Sequence, residues 1–312
     1  MTKVPTDLER SILHTACWFA IFGYPLTAFE VWKWLWFPVS PYPLIDVRRA
    51  LRESVWLSTR LETDGCFYAL RGQQAISTLV FQREERFVYA LRKFAKLQEA
   101  ANYFSRIPTV RAVAAANTLA WWHARSESDI DLFIVTEPGT IWLTRFFAVI
   151  PFLLLGHRPG KTKSDPLCFS FFIASDRPEL ASLQLFGGDP YLAYWVRSLV
   201  PIMERSPFFL SFHKANAWVE EMLPHADPRL AHRRLARIGT PQKERGNSRL
   251  LLFLEGLAER VQRWYLPAAL RARANRDSSV LITPHMLKFH EHDRRAEYRD
   301  RFQAFITLYD RS

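Results

Sequence analysis

Apolar residues recur at helical spacing from Leu8 to about Phe22, at positions 8, 12, 13, 16, 19 and 20, and Asp7 is placed to cap that run. Gly23-Tyr24-Pro25 ends it. Thr27 then precedes a second helical run, TAFEVWKWLW, with Glu30 three residues on as a capping box. Pro38, Pro41 and Pro43 mark a loop before a third helix from Leu44 to about Ser54. Two strand-like runs, VWLSTRLE and CFYAL, follow across a Thr63-Asp64-Gly65 turn. Three helices and a hairpin in this order predict a winged helix-turn-helix over residues 1–72. Trp32, Trp34 and Trp36 carry more aromatic bulk than so small a core needs, so part of that surface is expected to pack on the rest of the chain.

Residues 73–106 read as one long connecting helix, rich in helix formers and broken by Ile107-Pro108. The period then changes. TVRAVAAAN and IDLFIVT are strand-like, a helix starts near Thr140, and LCFSFFIAS is a third strand. Residues 107–186 therefore predict a mixed α/β core, within a chain of α/β (α+β) class. Residues 187–312 read as a helical region, from DPYLAYWVRSLVPIMER to RRAEYRDRFQAFITLYD, with an exposed basic loop over 225–247.

Composition narrows the partners. The chain has 312 residues, 42 Lys+Arg against 31 Asp+Glu, and a formal net charge of +11, which favours anionic ligands such as nucleotides or nucleic acid. Its three cysteines, Cys17, Cys66 and Cys168, show no CxxC spacing and suggest a reduced, cytoplasmic setting. The start of the sequence shows no secretory pattern. The longest apolar run, residues 146–155, is shorter than the roughly 20 residues that span a bilayer, so no membrane partner is expected. Arg48, Arg49 and Arg52 lie on the third helix, where they suit phosphate contact with nucleic acid. The same unit equally suits protein docking.

The chemistry concentrates in VRAVAAANTLAWWHARSESDIDLFIVTEPGTIWLTR. Asp129 and Asp131 flank Ile130 at the start of a strand, so both carboxylates project from one face. Such a pair repels itself, and a bound divalent cation relieves the repulsion. Hard oxygen donors at this spacing suit Mg²⁺ or Mn²⁺. Asn117-Thr118 ends the preceding strand-like run, ten residues before Asp129. Two other runs lack the required spacing. Residues 156–162 have three residues between glycines where a P-loop has four, and His290-Glu291-His292-Asp293 lacks HExxH spacing and reads as a solvated polar segment.

The Asn117-Thr118 and Asp129-Ile130-Asp131 pattern resembles the nucleotidyltransferase superfamily typified by DNA polymerase beta and the minimal nucleotidyltransferases. That family has Gly-Ser at a strand-helix turn, about ten residues, then Asp-x-Asp. FGYPLT, SDIDLFIVT and WLTR resemble an uncharacterised bacterial group that joins a winged helix to this domain. The resemblance touches roughly the first 220 residues. It implies that Asp129 and Asp131 hold metal bridging an NTP, and that Asn117, Thr118 and Ser128 lie beside the triphosphate. The basic residues Arg145, Arg158, Lys161 and Lys163 are added as phosphate contacts on charge alone.

Two positions depart from the family. Asn117 replaces Gly, although Asn tolerates a left-handed backbone. The family's third carboxylate has no counterpart inside residues 167–175; Ser170 sits near the middle, and Asp165 and Asp176 flank the strand. The implied function is transfer of a nucleotidyl group from an NTP to a hydroxyl acceptor on a protein, an RNA or a small molecule. The alternative is a catalytically degenerate nucleotide binder, or a winged-helix module for DNA or protein.

Overall fold

The computed structural model describes residues 4–154, 165–232, 236–238 and 248–311, with the side chains of residues 153, 154, 237 and 238 left aside. It opens with α1 (Asp7–Ala20), whose N-cap is Thr6, one residue before the predicted Asp7. The Thr6 hydroxyl accepts from the Glu9 N–H, and the Glu9 carboxylate accepts from the Thr6 N–H at 2.7 Å. β1 (Leu26–Thr27) leads into α2 (Ala28–Lys33), where Thr27 and Glu30 form the predicted capping box. Then come α3 (Leu44–Glu53), α4 (Val55–Ser58), β2 (Leu61–Thr63) and β3 (Phe67–Leu70). The three strands pair in the order β1-β3-β2. VWLS is helical rather than extended, because Ser54 caps it by accepting from the Leu57 N–H. Asp64 holds the hairpin turn by accepting from the N–H groups of Cys66 and Phe67.

α5 (Ile76–Phe104) carries the chain to the main sheet. Arg83 on α5 pairs with Glu30 at 2.7 Å, tying the long helix to α2. β4 (Val110–Ala115), a short 3-10 turn at Asn117–Trp121, β5 (Ile130–Thr136), α6 (Ile141–Leu154) and β6 (Leu167–Ala174) follow. Next are α7 (Pro190–Ser198), β7 (Val200–Glu204), α8 (Phe208–Ala215), α9 (Val219–Met222) and β8 (Arg237–Ile238). The chain closes with α10 (Arg249–Tyr265), α11 (Ala268–Arg273), β9 (Val280–Ile282), β10 (Met286–Phe289) and α12 (Arg295–Arg311).

The main sheet has seven strands in the order β8-β7-β4-β5-β6-β10-β9. β4 and β5 are antiparallel, while β5 and β6 are parallel across the α6 crossover. The chain is thus mixed α/β. The region after Gly188 is not the helical array expected from its apolar spacing: it contributes β7, β8, β9 and β10. VPIME is buried on all five positions and pairs with β4, and Pro201 ends the helical spacing that precedes it. β9 and β10 are short strands in a polar stretch, so neither shows a clear period.

The sheet has two different faces, set by strand alternation. Ala112, Ala114, Phe133, Val135, Phe171 and Ile173 join one apolar cluster with α1, α7, α8 and α12. Val113, Ala115, Leu132, Ile134 and Phe172 join another with α5, α6 and α10. On the first face Trp18 stacks on Tyr194, with ring centroids 4.9 Å apart and planes 5° apart, and Trp36 stacks on Tyr194 from another side. Trp34 and Trp36 thus pack on Tyr194 of α7, and Trp36 also on Phe302 of α12, so part of the tryptophan surface is spent on the rest of the chain, as its bulk suggested. α12 returns to the N-terminal hairpin: the Tyr309 hydroxyl donates to the Arg71 carbonyl at 2.6 Å, and Arg60 Nε donates to the Tyr309 carbonyl at 2.7 Å. No helix among the described residues is long and apolar enough to cross a membrane.

Candidate functional site

Asp131 is the second residue of β5 and lies on the same side of the strand as Phe133 and Val135, the aromatic face of the sheet. The chain enters this region through β4, which ends at Ala115, and turns sharply at Asn117. Asn117 has φ of 58°, in the left-handed region where a non-Gly residue is uncommon and Asn is among the best tolerated. That turn aims the Asn117 amide back at the strand. Its Nδ2 donates to Asp131 Oδ2 at 2.6 Å, and its Oδ1 accepts from the Tyr191 hydroxyl at 2.7 Å.

Two adjoining cavities share Asn117, Asp131, Tyr191, Trp195 and Tyr298. One, about 200 Å³, adds Thr118, Phe22 and Trp121. The other, about 240 Å³, adds Cys168, Ser170, His290 and Lys288. Tyr191 and Tyr298 stack between them, 5.5 Å apart. The site is thus a polar floor at the start of β5 under aromatic walls drawn from the turn after α1, from α7 and α12, and from the turn after β4.

The electrostatics are those of an unneutralised carboxylate pair. Burial raises the Asp131 carboxyl above the ordinary aspartate value, the bonds from Asn117 and Cys168 offset part of that, and the Asp129 charge adds to it. Burial also raises Asp129, with the Lys93 ammonium working the other way. Neither carboxylate is in an ion pair among the described residues. Asp129 lines neither cavity; it stands one residue before β5. Asp131 and Asp129 are hard, partly buried oxygen donors outside any salt bridge among the described residues, with the Lys93 charge acting on Asp129; donors of this type are those that could hold a divalent cation.

Asn117, Thr118 and Asp131 come together in the first cavity. Ser128 is turned elsewhere. Its hydroxyl donates to the Arg125 carbonyl, and its own carbonyl accepts from Lys93 Nζ at 2.6 Å. Arg145 lies on the opposite face of the sheet, where it donates to Gln262 Oε1 at 2.6 Å and sits over the Phe289 ring. Burial there lowers its guanidinium to about 10. Lys161, with Arg158, Lys163 and the P-loop-like run, lies outside the described residues, as does most of the 225–247 loop. Arg48, Arg49 and Arg52 are exposed on α3, and Arg48 and Arg52 line a separate groove beside the hairpin turn at Gly65 and Cys66.

Asp165 and Asp176 do not join the pair. Asp165 is held by Lys93 at 2.5 Å and by Lys96, and Asp176 sits 4.0 Å from His285 at the far end of β6. The β6 residue opposite Asp131 is Cys168, a half-buried residue whose thiol is raised to about 12 by desolvation and donates to Asp131. No group of three or more His, Cys, Asp or Glu side chains able to hold a metal occurs among the described residues.

The segment His290-Glu291-His292-Asp293 is not merely solvated. His290 Nε2 is 3.1 Å from the Ser170 hydroxyl, and burial lowers its imidazole to about 3. Asp293 pairs with Lys288 at 3.0 Å and with Arg295 at 2.8 Å, and these cations hold its carboxyl well below the usual range. Sequence reasoning missed this half of the site, together with Tyr191, Trp195 and Tyr298. Its only visible signal was β10 itself, MLKF, too short to stand out. Compared with family models, curated proteins and solved structures, the chain matches none.

Proposed function

We propose that this chain binds an NTP with Mg²⁺ in a nucleotidyltransferase-like cleft. The observation that carries the reading is the turn at the left-handed Asn117, placed by hydrogen bond against Asp131, with Asp129 adding a second carboxylate that is in no salt bridge among the described residues. This is the order of parts that the resemblance implies: a strand, a tight turn into a helical segment, then Asp-x-Asp at the next strand. The order of helices and strands before α5, with its three-stranded sheet, supports reading the N-terminal unit as a winged helix.

Each group has a role. Asp129 and Asp131 would hold the metal, which neutralises charge on the phosphate oxygens and on a departing pyrophosphate. Thr118 offers a hydroxyl beside the phosphates. The rings of Trp121, Tyr191, Trp195 and Tyr298 give a nucleobase flat surfaces to stack on. The β6 residue opposite Asp131 is Cys168, and no third carboxylate joins the pair among the described residues; for this reason binding is the favoured reading. Transfer to an acceptor hydroxyl is the second reading, favoured by the adjoining cavity around Ser170 and His290, which gives an acceptor room beside the pair.

The test is to incubate the protein with each labelled NTP and Mg²⁺ or Mn²⁺, against an Asp129→Ala/Asp131→Ala variant. Metal-dependent binding that weakens by about a hundredfold in the variant, without pyrophosphate release, is the expected result. Pyrophosphate release by the wild type establishes transfer. Equal binding by both proteins overturns the site.

A further inference from the structure

α10 is amphipathic in the wrong sense for a helix that only covers a core. Its inward contacts are largely polar or small. Both Glu255 oxygens accept from α6, from the N–H groups of Trp142 and Leu143, each at 2.8 Å. Gln262 donates to the Trp142 carbonyl at 2.7 Å and accepts from Arg145, and Ala258 fills the space between. Its large apolar residues face solvent. Leu250 is 67% exposed, Phe253 67%, Leu257 50% and Trp264 71%. At 3.6 residues per turn these four fall within an arc of about 60°. A monomer in water gains nothing from this stripe, which is contiguous over four turns of helix.

Charge identifies what covers it. Arg249 and Arg260 follow along one edge of the arc, both exposed. Residues 249–276 hold six arginines and two glutamates. Of the two acids, Glu255 is committed to α6 and Glu259 to Arg263 at 2.7 Å. Trp264 and Tyr265 stand together at the C-terminal end, both mostly exposed. Apolar side chains in one stripe, aromatic rings at its end and arginines along its flank match a helix lying in the headgroup region of an anionic bilayer. Pairing with a second copy would bring the same positive segment against itself. The nine residues before α10, 239–247, hold no large apolar side chain to cover it.

We propose that α10 docks this protein on an anionic membrane surface, lying in the interface with its Leu250–Trp264 stripe inserted. The expectation of no membrane partner concerned a spanning segment, and a helix lying on the surface needs no such length. The inference is independent of the nucleotide reading.

The experiment is co-sedimentation of the full chain with vesicles of phosphatidylcholine alone and with about 30 mol% phosphatidylserine. The comparison variant is Leu257→Ser/Trp264→Ser, with its fold checked by circular dichroism; both side chains are exposed, so the fold is expected to persist. Binding to the anionic vesicles that weakens about tenfold or more in the variant supports the proposal. No preference for anionic vesicles overturns it. So does binding that the variant retains in full, which would be charge attraction without insertion. A dimer in light scattering that the substitutions dissolve, with no vesicle binding, also overturns it and assigns the stripe to a second copy.

Discussion

The two faces of the seven-stranded sheet solve the same problem in opposite ways. On the face that carries Phe133 and Val135, large rings from α1, α7 and α12 interlock, and the polar groups are gathered at one end of β5 as a cleft. On the other face α6 packs its apolar side on the strands, and α10 holds α6 through Glu255 and Gln262 while turning leucines and aromatics outward. The rings of Trp18, Tyr194 and Phe302 on the first face are buried, whereas α10 on the second leaves Leu250, Phe253, Leu257 and Trp264 exposed. A layer held by polar contacts leaves its hydrophobic side available for a different partner.

The comparison breaks most directly at Trp18. It is fully buried and touches Tyr194, Phe22, Tyr191 and Phe302. Trp18→Ala is expected to cost about 3–5 kcal/mol in urea unfolding, because it opens a cavity where four rings meet. A loss under 1 kcal/mol would show that the rings relax around the gap and that this face is not the rigid one. Glu255→Ala probes the other face. It leaves the Trp142 and Leu143 N–H groups without their acceptor and should cost about 1–2 kcal/mol. The diagnostic is hydrogen exchange: amides of residues 249–266 should exchange faster while those of β4 and β5 stay protected.

The smallest effect has the opposite sign. Burial raises the Asp129 carboxyl, so its ionised form is disfavoured in the folded chain. That cost is absent below the unfolded pKa and is felt in full once pH rises above the folded one. Asp129→Asn should therefore raise the unfolding free energy slightly at neutral pH, by no more than about 0.5 kcal/mol given solvent screening, with the gain vanishing in acid. Mg²⁺ should raise the melting temperature of the wild type more than that of the variant, and should do so less as pH falls, since protons compete for the raised carboxyls. An equal Mg²⁺ effect on both proteins would remove Asp129 from the metal site.

What the sequence made legible was local. The Thr27–Glu30 capping box, the strand at 130–136 and the turn at Asn117 each rest on a few neighbouring residues. The second half of the cleft does not. Cys168, Tyr191, His290 and Tyr298 line the cavities beside Asp131 from four later stretches of chain, and no spacing rule links them to it. β7 was hidden because a strand buried on both faces has no alternation, and it follows α7 without a polar break. Arg145 looked like a phosphate ligand because positive charge was the only property consulted. Its helix packs on the other face, and burial rather than a ligand accounts for its surroundings.

The bond between the Tyr309 hydroxyl and the Arg71 carbonyl joins residues 238 positions apart. During synthesis the N-terminal unit leaves the ribosome long before α12 exists, and Trp18 and Trp36 then lack Phe302. The aromatic cluster around α1 therefore closes only once a helix from the far end of the sequence has been synthesised.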